Sequence, residues 1–163
     1  MNGKKLLFLA VLSAACGNAA PSNFAGSYSG TVVSGDNACQ FSGWTAGNSS
    51  PFQATVTQDG ADAQLQVPIN SIVGLVMAAV LGTNTFTGTV SGNEFTASVL
   101  GTKQTTQGAC TFTVNTKLDL TIDDKSNVVG ALTYTPVTNG DPSCAALNTC
   151  SNVQNVTGSR TGP

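Results

Sequence analysis

Cysteine thiols carry most of the chemistry that this sequence offers. The 163-residue chain contains five cysteines and no histidine, so it lacks the commonest general base and the commonest metal ligand. No serine stands in a Gly-x-Ser-x-Gly motif, and no two cysteines have the C-x2-C spacing of a zinc site. Asp59, Asp62, Asp123 and Asp124 lie in short polar segments typical of turns. We therefore expect no enzymatic activity, no cofactor and no metal site.

The charge balance restricts the partners. Six Lys and Arg residues oppose eight Asp and Glu residues, and only 9% of the chain is charged. This composition is far from the basic footprint of a nucleic-acid-binding domain, so we expect no nucleic-acid partner. The length suits a single domain, since domains usually have about 100 to 200 residues.

The N-terminal residues have the three-part pattern of a secretory signal. Lys4 and Lys5 precede an apolar run that is too short to span a bilayer, and small residues follow it. Cys16 directly follows the small residues 13–15. This segment resembles the lipobox of bacterial lipoproteins, in which the cysteine is diacylated and becomes the new N-terminus. The resemblance implies a signal peptide at residues 1–15, a palmitate-type lipid on Cys16 and a linker at residues 16–23.

Two details bear on the destination of the protein. Ser13 stands where lipoboxes usually have Leu, Val or Ile, so ordinary signal-peptidase cleavage is the alternative. Gly17 after the cysteine resembles the pattern that is sorted to the outer membrane. We expect an exported lipoprotein, anchored by its N-terminal lipid to the periplasmic or surface face of that membrane. Loss of Lys4 and Lys5 with the signal peptide makes the mature chain more acidic, which excludes a membrane contact through a polybasic patch.

Alternation of apolar and polar residues dominates the rest of the chain. The clearest case is Cys110–Ile122, where the even-numbered positions include Phe112, Val114, Leu118 and Leu120. A period of two held for that length predicts a strand with one buried face. Val56, Leu65 and Val90 are expected to face the same interior from other strands. Segments of this kind bring the prediction to eight strands, at residues 24–33, 52–58, 63–69, 83–90, 94–100, 110–122, 128–134 and 152–160.

The connections between these strands alternate in length. Short turns are expected at residues 59–62, 91–93 and 123–127, whereas the remaining connections are long. An up-and-down order then places the short turns at one end and the long loops at the other. Eight antiparallel strands that return to their start can close without exposed edges. We predict an all-β fold, an eight-stranded antiparallel up-and-down barrel over residues 24–163 with one short helix.

The helix is predicted at Ile72–Leu81, a continuously apolar run between Ser71 and Gly82 as capping residues. A segment that is apolar all round is expected to be buried or to face lipid. It would pack over one end of the barrel, or form a lid or membrane-touching element at the barrel mouth. A buried strand is the remaining interpretation.

The cysteines other than Cys16 form an even set suited to two disulfides in an oxidising compartment. Cys39, Cys110, Cys144 and Cys150 all fall at or beside the long-loop end of the predicted barrel. Neighbouring strands favour the pairs Cys39–Cys150 and Cys110–Cys144. Spacing alone leaves open the rival set, Cys39–Cys110 with Cys144–Cys150.

The first and last strands carry a motif of their own. Gly26 stands two residues before Tyr28 near the start of the first strand, and Arg160 lies on the last. This resembles the lipocalin, or calycin, pattern, in which Gly-x-Trp on the first strand packs under an arginine from the last. The resemblance implies a calycin-like barrel whose floor is closed by Gly26, Tyr28 and Arg160, with the guanidinium over the aromatic ring. Tyr28 replaces the usual Trp.

Two functions are compatible with such a barrel. One is binding of a small apolar ligand, with Trp44, Leu75 and Met77 as candidate contacts at the mouth. Trp44 is alternatively a loop anchor near the Cys39 bridge. The other function is that of a structural or surface-interaction lipoprotein with a filled barrel and no ligand. Inward small residues favour interior space, although tight strand packing could also explain them; they are Gly26, Gly30, Ala54, Gly88 and Ala97.

Overall fold

The computed structural model describes residues 20–163. The predicted signal peptide at residues 1–15, the lipobox and Cys16 lie outside the described residues. The described part contains nine strands, one α-helix and one 3-10 helix. In chain order these are β1 (Gly26–Ser34), β2 (Ser49–Asp59), β3 (Asp62–Gln66), α1 (Ile72–Leu81), β4 (Thr85–Ser91), β5 (Glu94–Val99), β6 (Thr105–Gln107), β7 (Cys110–Ile122), β8 (Asn127–Thr138), the 3-10 helix (Pro142–Leu147) and β9 (Asn152–Gly162).

Eight of these strands close a barrel in which every neighbour is antiparallel. β1 pairs with both β2 and β9, so the first and last strands are joined. β5 pairs with β7 from Glu94 opposite Thr121 to Val99 opposite Thr116, and this pairing completes the circle. The predicted eight-stranded barrel with one short helix is confirmed. The short strand β6 was not predicted, because its three residues, Thr-Thr-Gln, carry no apolar alternation.

The alternation along each strand places the core inside the barrel. On β7 the even-numbered residues from Cys110 to Ile122 are buried, and the odd-numbered residues are more exposed. The residues predicted to face the interior are all buried, namely Val56, Leu65, Val90, Phe112, Val114, Leu118 and Leu120. β3 ends at Gln66, earlier than the predicted residue 69. Pro68 follows two residues later and cannot donate to a strand ladder.

The predicted short turns join β2 to β3, β4 to β5 and β7 to β8. In the last of them, Asp123 Oδ1 accepts hydrogen bonds from the backbone N–H groups of Lys125 and Asn127, at 2.9 and 2.8 Å. Asp123 Oδ2 accepts a further one from the Asn127 side chain at 2.8 Å. The hydrogen bonds from Asn127 and Lys125 lower the pKa of Asp123. This carboxylate therefore shapes a turn, as its position in the sequence indicated.

Helix α1 has the predicted bounds and both predicted caps. The Ser71 hydroxyl accepts a hydrogen bond from Gly74 N–H at 3.0 Å and donates one to the Pro68 carbonyl at 2.7 Å. Gly82 ends the helix with a φ of +85°, a left-handed conformation that glycine adopts without strain. Thr102, in the loop after β5, donates its N–H to the Leu81 carbonyl at 3.0 Å. The start of the helix is thus hydrogen-bonded to the loop after β3, and its end to the loop after β5.

Candidate functional site

A cavity opens at the long-loop end of the barrel, between α1, the loop that follows β1, and the short strand β6 with the turn after it. Its volume is about 640 Å³, and we call it the mouth cavity. The α1 side chains Val76 and Val80 form one wall, and Phe41 and Phe112 contribute aromatic surface. The Phe41 and Phe112 rings are stacked with their centroids 5.8 Å apart. The size is that of a pocket for a small organic molecule, since such pockets measure about 300 to 1,000 Å³.

Helix α1 divides its apolar surface between the barrel and the mouth cavity. Gly74, Met77 and Leu81 are buried against the barrel. Ile72, Val76 and Val80, spaced four residues apart on one face, line the cavity and remain 80%, 54% and 39% exposed. Of the two expectations for this segment, burial or contact with lipid, burial therefore holds only for the face that carries Gly74, Met77 and Leu81. A ten-residue helix laid across a barrel end can bury only the face that it turns toward the strands.

The structure separates the three residues predicted to contact a ligand. Met77 is buried and lines both the mouth cavity and the packed interior beneath it, so it forms part of the cavity floor. Trp44 lines the mouth cavity. Leu75 is 61% exposed and does not line the cavity. Leu75 follows Ile72 by three residues and so lies beside it at the edge of the exposed face of α1, but it points past the cavity toward solvent.

Trp44 is also anchored as a loop residue. Its indole N–H donates to the Gly35 carbonyl at 2.9 Å, and its ring meets Tyr134 edge-on with centroids 5.5 Å apart. The Asn37 side chain donates to the Trp44 carbonyl at 3.3 Å and to the Phe41 carbonyl at 3.0 Å. Anchoring of the loop and lining of the cavity, which the sequence presented as alternatives, coexist in one residue.

Two disulfides tie the loops around the mouth cavity. The bonds are Cys39–Cys150 and Cys110–Cys144, which confirms the favoured pairing. Buried Asn152 reinforces the first bond, because its Oδ1 accepts from Cys39 N–H at 2.9 Å and its Nδ2 donates to Asn37 at 2.9 Å. The Cys39 segment and the start of β9 are therefore held together by covalent and hydrogen bonds. The rim of the cavity is pre-organised rather than loose.

A row of polar side chains crosses the cavity wall, and the sequence analysis did not identify it. Gln154 Nε2 donates to Ser34 Oγ at 3.1 Å, and the Tyr134 hydroxyl donates to Gln154 Oε1 at 2.7 Å. All three residues line the mouth cavity. We call Ser34, Gln154 and Tyr134 the polar row. A sequence signal did exist, since Ser34 and Tyr134 hold inward positions by alternation with Val32 and Leu132, but their proximity depends on barrel closure.

Below the mouth cavity the barrel is filled. The interior cavity has a volume of only about 50 Å³. An apolar space of this size is too small for an organic ligand, although a water needs only about 10 to 15 Å³. Large aromatic side chains occupy this part of the barrel, among them the fully buried Phe24, Phe86 and Phe95.

The inward glycines do not leave space. A Cβ at Gly30 would lie 2.1 Å from the Thr157 carbonyl oxygen and 2.8 Å from the Phe52 ring. A Cβ at Gly88 would lie 2.0 Å from the Thr96 carbonyl oxygen. Ala54 and Ala97 are buried as well. Tight packing of neighbouring strands, and not an open calyx, explains these small residues.

The closed end of the barrel brings together Gly26, Tyr28 and Arg160. Arg160 Nε and Nη2 donate to the Tyr28 hydroxyl at 3.2 and 3.1 Å, and that hydroxyl donates to the Phe24 carbonyl at 2.8 Å. Arg160 also donates to the Asn23 carbonyl. The guanidinium carbon also lies over the Tyr28 ring, 5.7 Å from the ring centroid, within the range of a cation–π contact. Tyrosine thus supplies a hydrogen-bond acceptor that tryptophan would lack.

Gly26 is required beside that arginine. Its φ is +137°, and a Cβ there would lie 2.6 Å from the Gly162 carbonyl oxygen and 3.1 Å from Arg160 Cδ. The three residues expected from the lipocalin pattern are therefore in mutual proximity, with the guanidinium over the ring as expected and hydrogen bonds to the Tyr28 hydroxyl in addition.

The described residues define a closed antiparallel β-barrel with a filled body and an open, largely apolar mouth. Between residues 20 and 163, no helix has the length and apolar character needed to cross a membrane. No protein-family model, curated protein or solved structure matches the chain significantly. The functional assignment consequently depends on the chemistry of the mouth cavity.

Proposed function

We propose that this chain is an exported, lipid-anchored β-barrel lipoprotein that binds a small apolar ligand in the mouth cavity. The observation that carries the proposal is the exposed apolar face of α1, whose residues Ile72, Val76 and Val80 line a cavity of about 640 Å³. Apolar side chains held open to solvent gain free energy when a ligand covers them, by about 25 cal/mol per Å² removed from water.

The proposal is one of binding and not of catalysis. The side chains that line the mouth cavity are aliphatic, aromatic, hydroxyl and amide groups. These groups provide an apolar surface and a few hydrogen bonds, which is the usual composition of a small-molecule binding site. The disulfide-tied rim favours binding further, because a pre-organised site loses less conformational entropy when the ligand enters.

The N-terminal side of the domain supports a tether at the closed end. Ser22 N–H donates to the Gly92 carbonyl in the β4–β5 turn at 2.7 Å, and Asn23 is held by Arg160. A lipid on Cys16 would therefore place the closed end toward the membrane and the mouth away from it. The two disulfides favour an oxidising compartment outside the cytoplasm.

The second candidate, a structural or surface-interaction lipoprotein with no ligand, is favoured by the filled body of the barrel. The two candidates differ in what covers the exposed face of α1. In the second, a protein partner contacts Ile72, Val76 and Val80 from outside, and no small ligand occupies the cavity.

Native mass spectrometry of the protein exported to a periplasm separates these candidates. Binding predicts an adduct of small-molecule mass that is lost on denaturation. Val76→Asp should abolish the adduct, because it places a carboxylate in the cavity wall. Leu75→Asp is the matched control, since Leu75 is similarly exposed on the same helix, at 61% against 54% for Val76, but lies outside the cavity. An adduct that survives Val76→Asp unchanged would argue against the mouth cavity as the site.

The lipid anchor is tested by Cys16→Ser. We expect the wild type in the membrane fraction and the variant in the soluble fraction, because the acyl acceptor is lost. Metabolic labelling with a palmitate analogue provides a direct readout. An unlabelled wild type would favour ordinary signal-peptidase cleavage instead.

A further inference from the structure

The polar row has hydrogen-bonding capacity that the barrel leaves unused. Within the described residues, Ser34 Oγ makes one hydrogen bond, as acceptor from Gln154, and Gln154 Nε2 makes one, as donor to Ser34. A hydroxyl can donate one hydrogen as well as accept, and an amide nitrogen has two hydrogens to donate. One hydrogen on each side chain therefore remains for an acceptor in the cavity.

Burial makes this unused capacity significant. Ser34 is a buried polar residue, 7% exposed, on the wall of the mouth cavity, so bulk solvent has little access to its free hydrogen. A buried donor without a partner costs about 1 to 3 kcal/mol. A ligand atom that accepts from Ser34 would remove that cost.

A second buried polar atom lies beside the row. Thr116 Oγ1 has no hydrogen-bond partner within the described residues, and Thr116 is 2% exposed. Thr116 pairs directly with Tyr134 across β7 and β8. Along β7 it stands between Val114, which lines the mouth cavity, and Leu118, which lines the interior cavity. Thr116 Oγ1 is thus the one buried side-chain polar atom without a partner in the described part of the chain, and it lies on the strand next to the row without lining either cavity.

The mouth cavity contains no charged group that could pair with an ionised ligand. Among residues 20–163, no Lys, Arg, Asp or Glu lines it. Tyr134 is the one ionisable side chain on its wall, and burial raises the pKa of that phenol well above its ordinary value, so it stays neutral. A carboxylate placed there would lose its hydration without gaining a counter-ion.

We propose that the ligand is an uncharged amphiphile, with an apolar body against α1 and the loop aromatics and one hydroxyl or carbonyl group on the polar row. The inference rests on the proposed function, because it takes the mouth cavity to be the ligand site. It adds the chemical class of the ligand: an alcohol, ester or ketone rather than a fatty-acid anion. Ser34 donates to the ligand oxygen, and Gln154 and Tyr134 hold Ser34 in place.

Trp44 provides the readout, because it is the one tryptophan of the chain and lines the mouth cavity. The full chain, exported as the Cys16→Ser variant so that no detergent competes, is titrated at pH 8 with 1-octanol and with octanoate. The two probes share a chain length and differ in charge. We expect a saturable change of Trp44 fluorescence with 1-octanol and at least tenfold weaker binding of octanoate.

Variants of the polar row test the hydrogen bond. Ser34→Ala should weaken 1-octanol binding about 3- to 10-fold, as expected for one net hydrogen bond. Tyr134→Phe should weaken it less, because Tyr134 acts through Gln154. Ser29→Ala, on the same strand but facing away from both cavities, is the matched control and should bind as the parent does. Circular dichroism verifies the fold of each variant.

The outcomes separate this inference from the function on which it rests. Equal binding of the two probes, or unchanged binding in both Ser34→Ala and Tyr134→Phe, would overturn the ligand class while leaving mouth binding intact. No fluorescence response to either probe, together with a native mass free of any adduct, would overturn the proposed function and this inference with it.

Discussion

Arg160, near the end of the last strand, donates two hydrogen bonds to the hydroxyl of Tyr28 on the first strand, at 3.1 and 3.2 Å. The two residues also pair in register across β1 and β9. This contact joins residues 132 positions apart at the point where the barrel closes. It therefore stabilises the seam on which the closed topology depends.

Removing either partner should destabilise the barrel. We expect Arg160→Met and Tyr28→Phe each to lower the free energy of unfolding by about 1 to 3 kcal/mol, since each leaves polar groups without partners. The double variant should cost less than the sum of the single variants, with a coupling energy of about 0.5 to 3 kcal/mol. Urea unfolding followed by circular dichroism measures all four proteins. Additive effects would mean that the two side chains act independently.

The two disulfides should differ in their contribution to stability. Cys39–Cys150 spans 111 positions and Cys110–Cys144 spans 34. On the loop-closure model, the longer loop contributes about 5 kcal/mol and the shorter about 4 kcal/mol. Replacing each pair by alanines and measuring urea unfolding tests the order. A larger loss from the Cys110/Cys144 variant would show that native-state contacts outweigh loop entropy here.

Gly88→Ala should be strongly destabilising. A methyl group there would overlap the Thr96 carbonyl oxygen, which belongs to the backbone of the paired strand and cannot move aside cheaply. Overpacking of this kind costs about 1 to 3 kcal/mol. Gly162→Ala is the control, because the nearest atom to its added Cβ is Ser27 Cβ at 3.9 Å. Thermal unfolding of the two variants should show a lowered Tm for the first alone.

Alkaline pH should weaken the fold through Tyr134. Burial raises its pKa in the folded state, so above about pH 10 the unfolded chain ionises this phenol while the folded chain does not. Unfolding then releases a proton, and stability falls by up to about 1.4 kcal/mol per pH unit. Tyr134→Phe should show a shallower decline in urea unfolding between pH 9 and pH 11. If the free energy of unfolding falls equally in the wild type and in Tyr134→Phe, other ionisable groups determine the alkaline loss of stability.

Much of the barrel could be predicted from the amino-acid sequence alone. Apolar side chains at every second position of residues 110–122 placed a strand and its buried face, because strand geometry alternates side chains wherever the strand pairs. Ser71 and Gly82 placed both ends of α1, since capping depends on local backbone geometry. The alternation of short and long connections predicted that four cysteines lie at the same end of the barrel. It also favoured the pairing that the structure has.

Other features depended on contacts between distant segments. The sequence showed ten apolar residues in α1, but only packing across the barrel end decided that Met77 faces inward, Val76 faces the cavity and Leu75 faces solvent. Likewise, inward glycines suggested interior space, whereas the distance between paired strands makes them close contacts.

The polar row shows most clearly which features follow from local sequence and which depend on tertiary contacts. Ser34, Tyr134 and Gln154 lie on three different strands, and nothing in their local sequence relates them. Closure of β9 against β1 places Gln154 opposite Ser34, and the β8–β9 pairing brings Tyr134 within hydrogen-bond distance of Gln154. Local alternation determined which side chains point inward, because that follows from the backbone of one strand. The meeting of those side chains on the wall of the mouth cavity was decided by strand register, which only the closed tertiary structure sets.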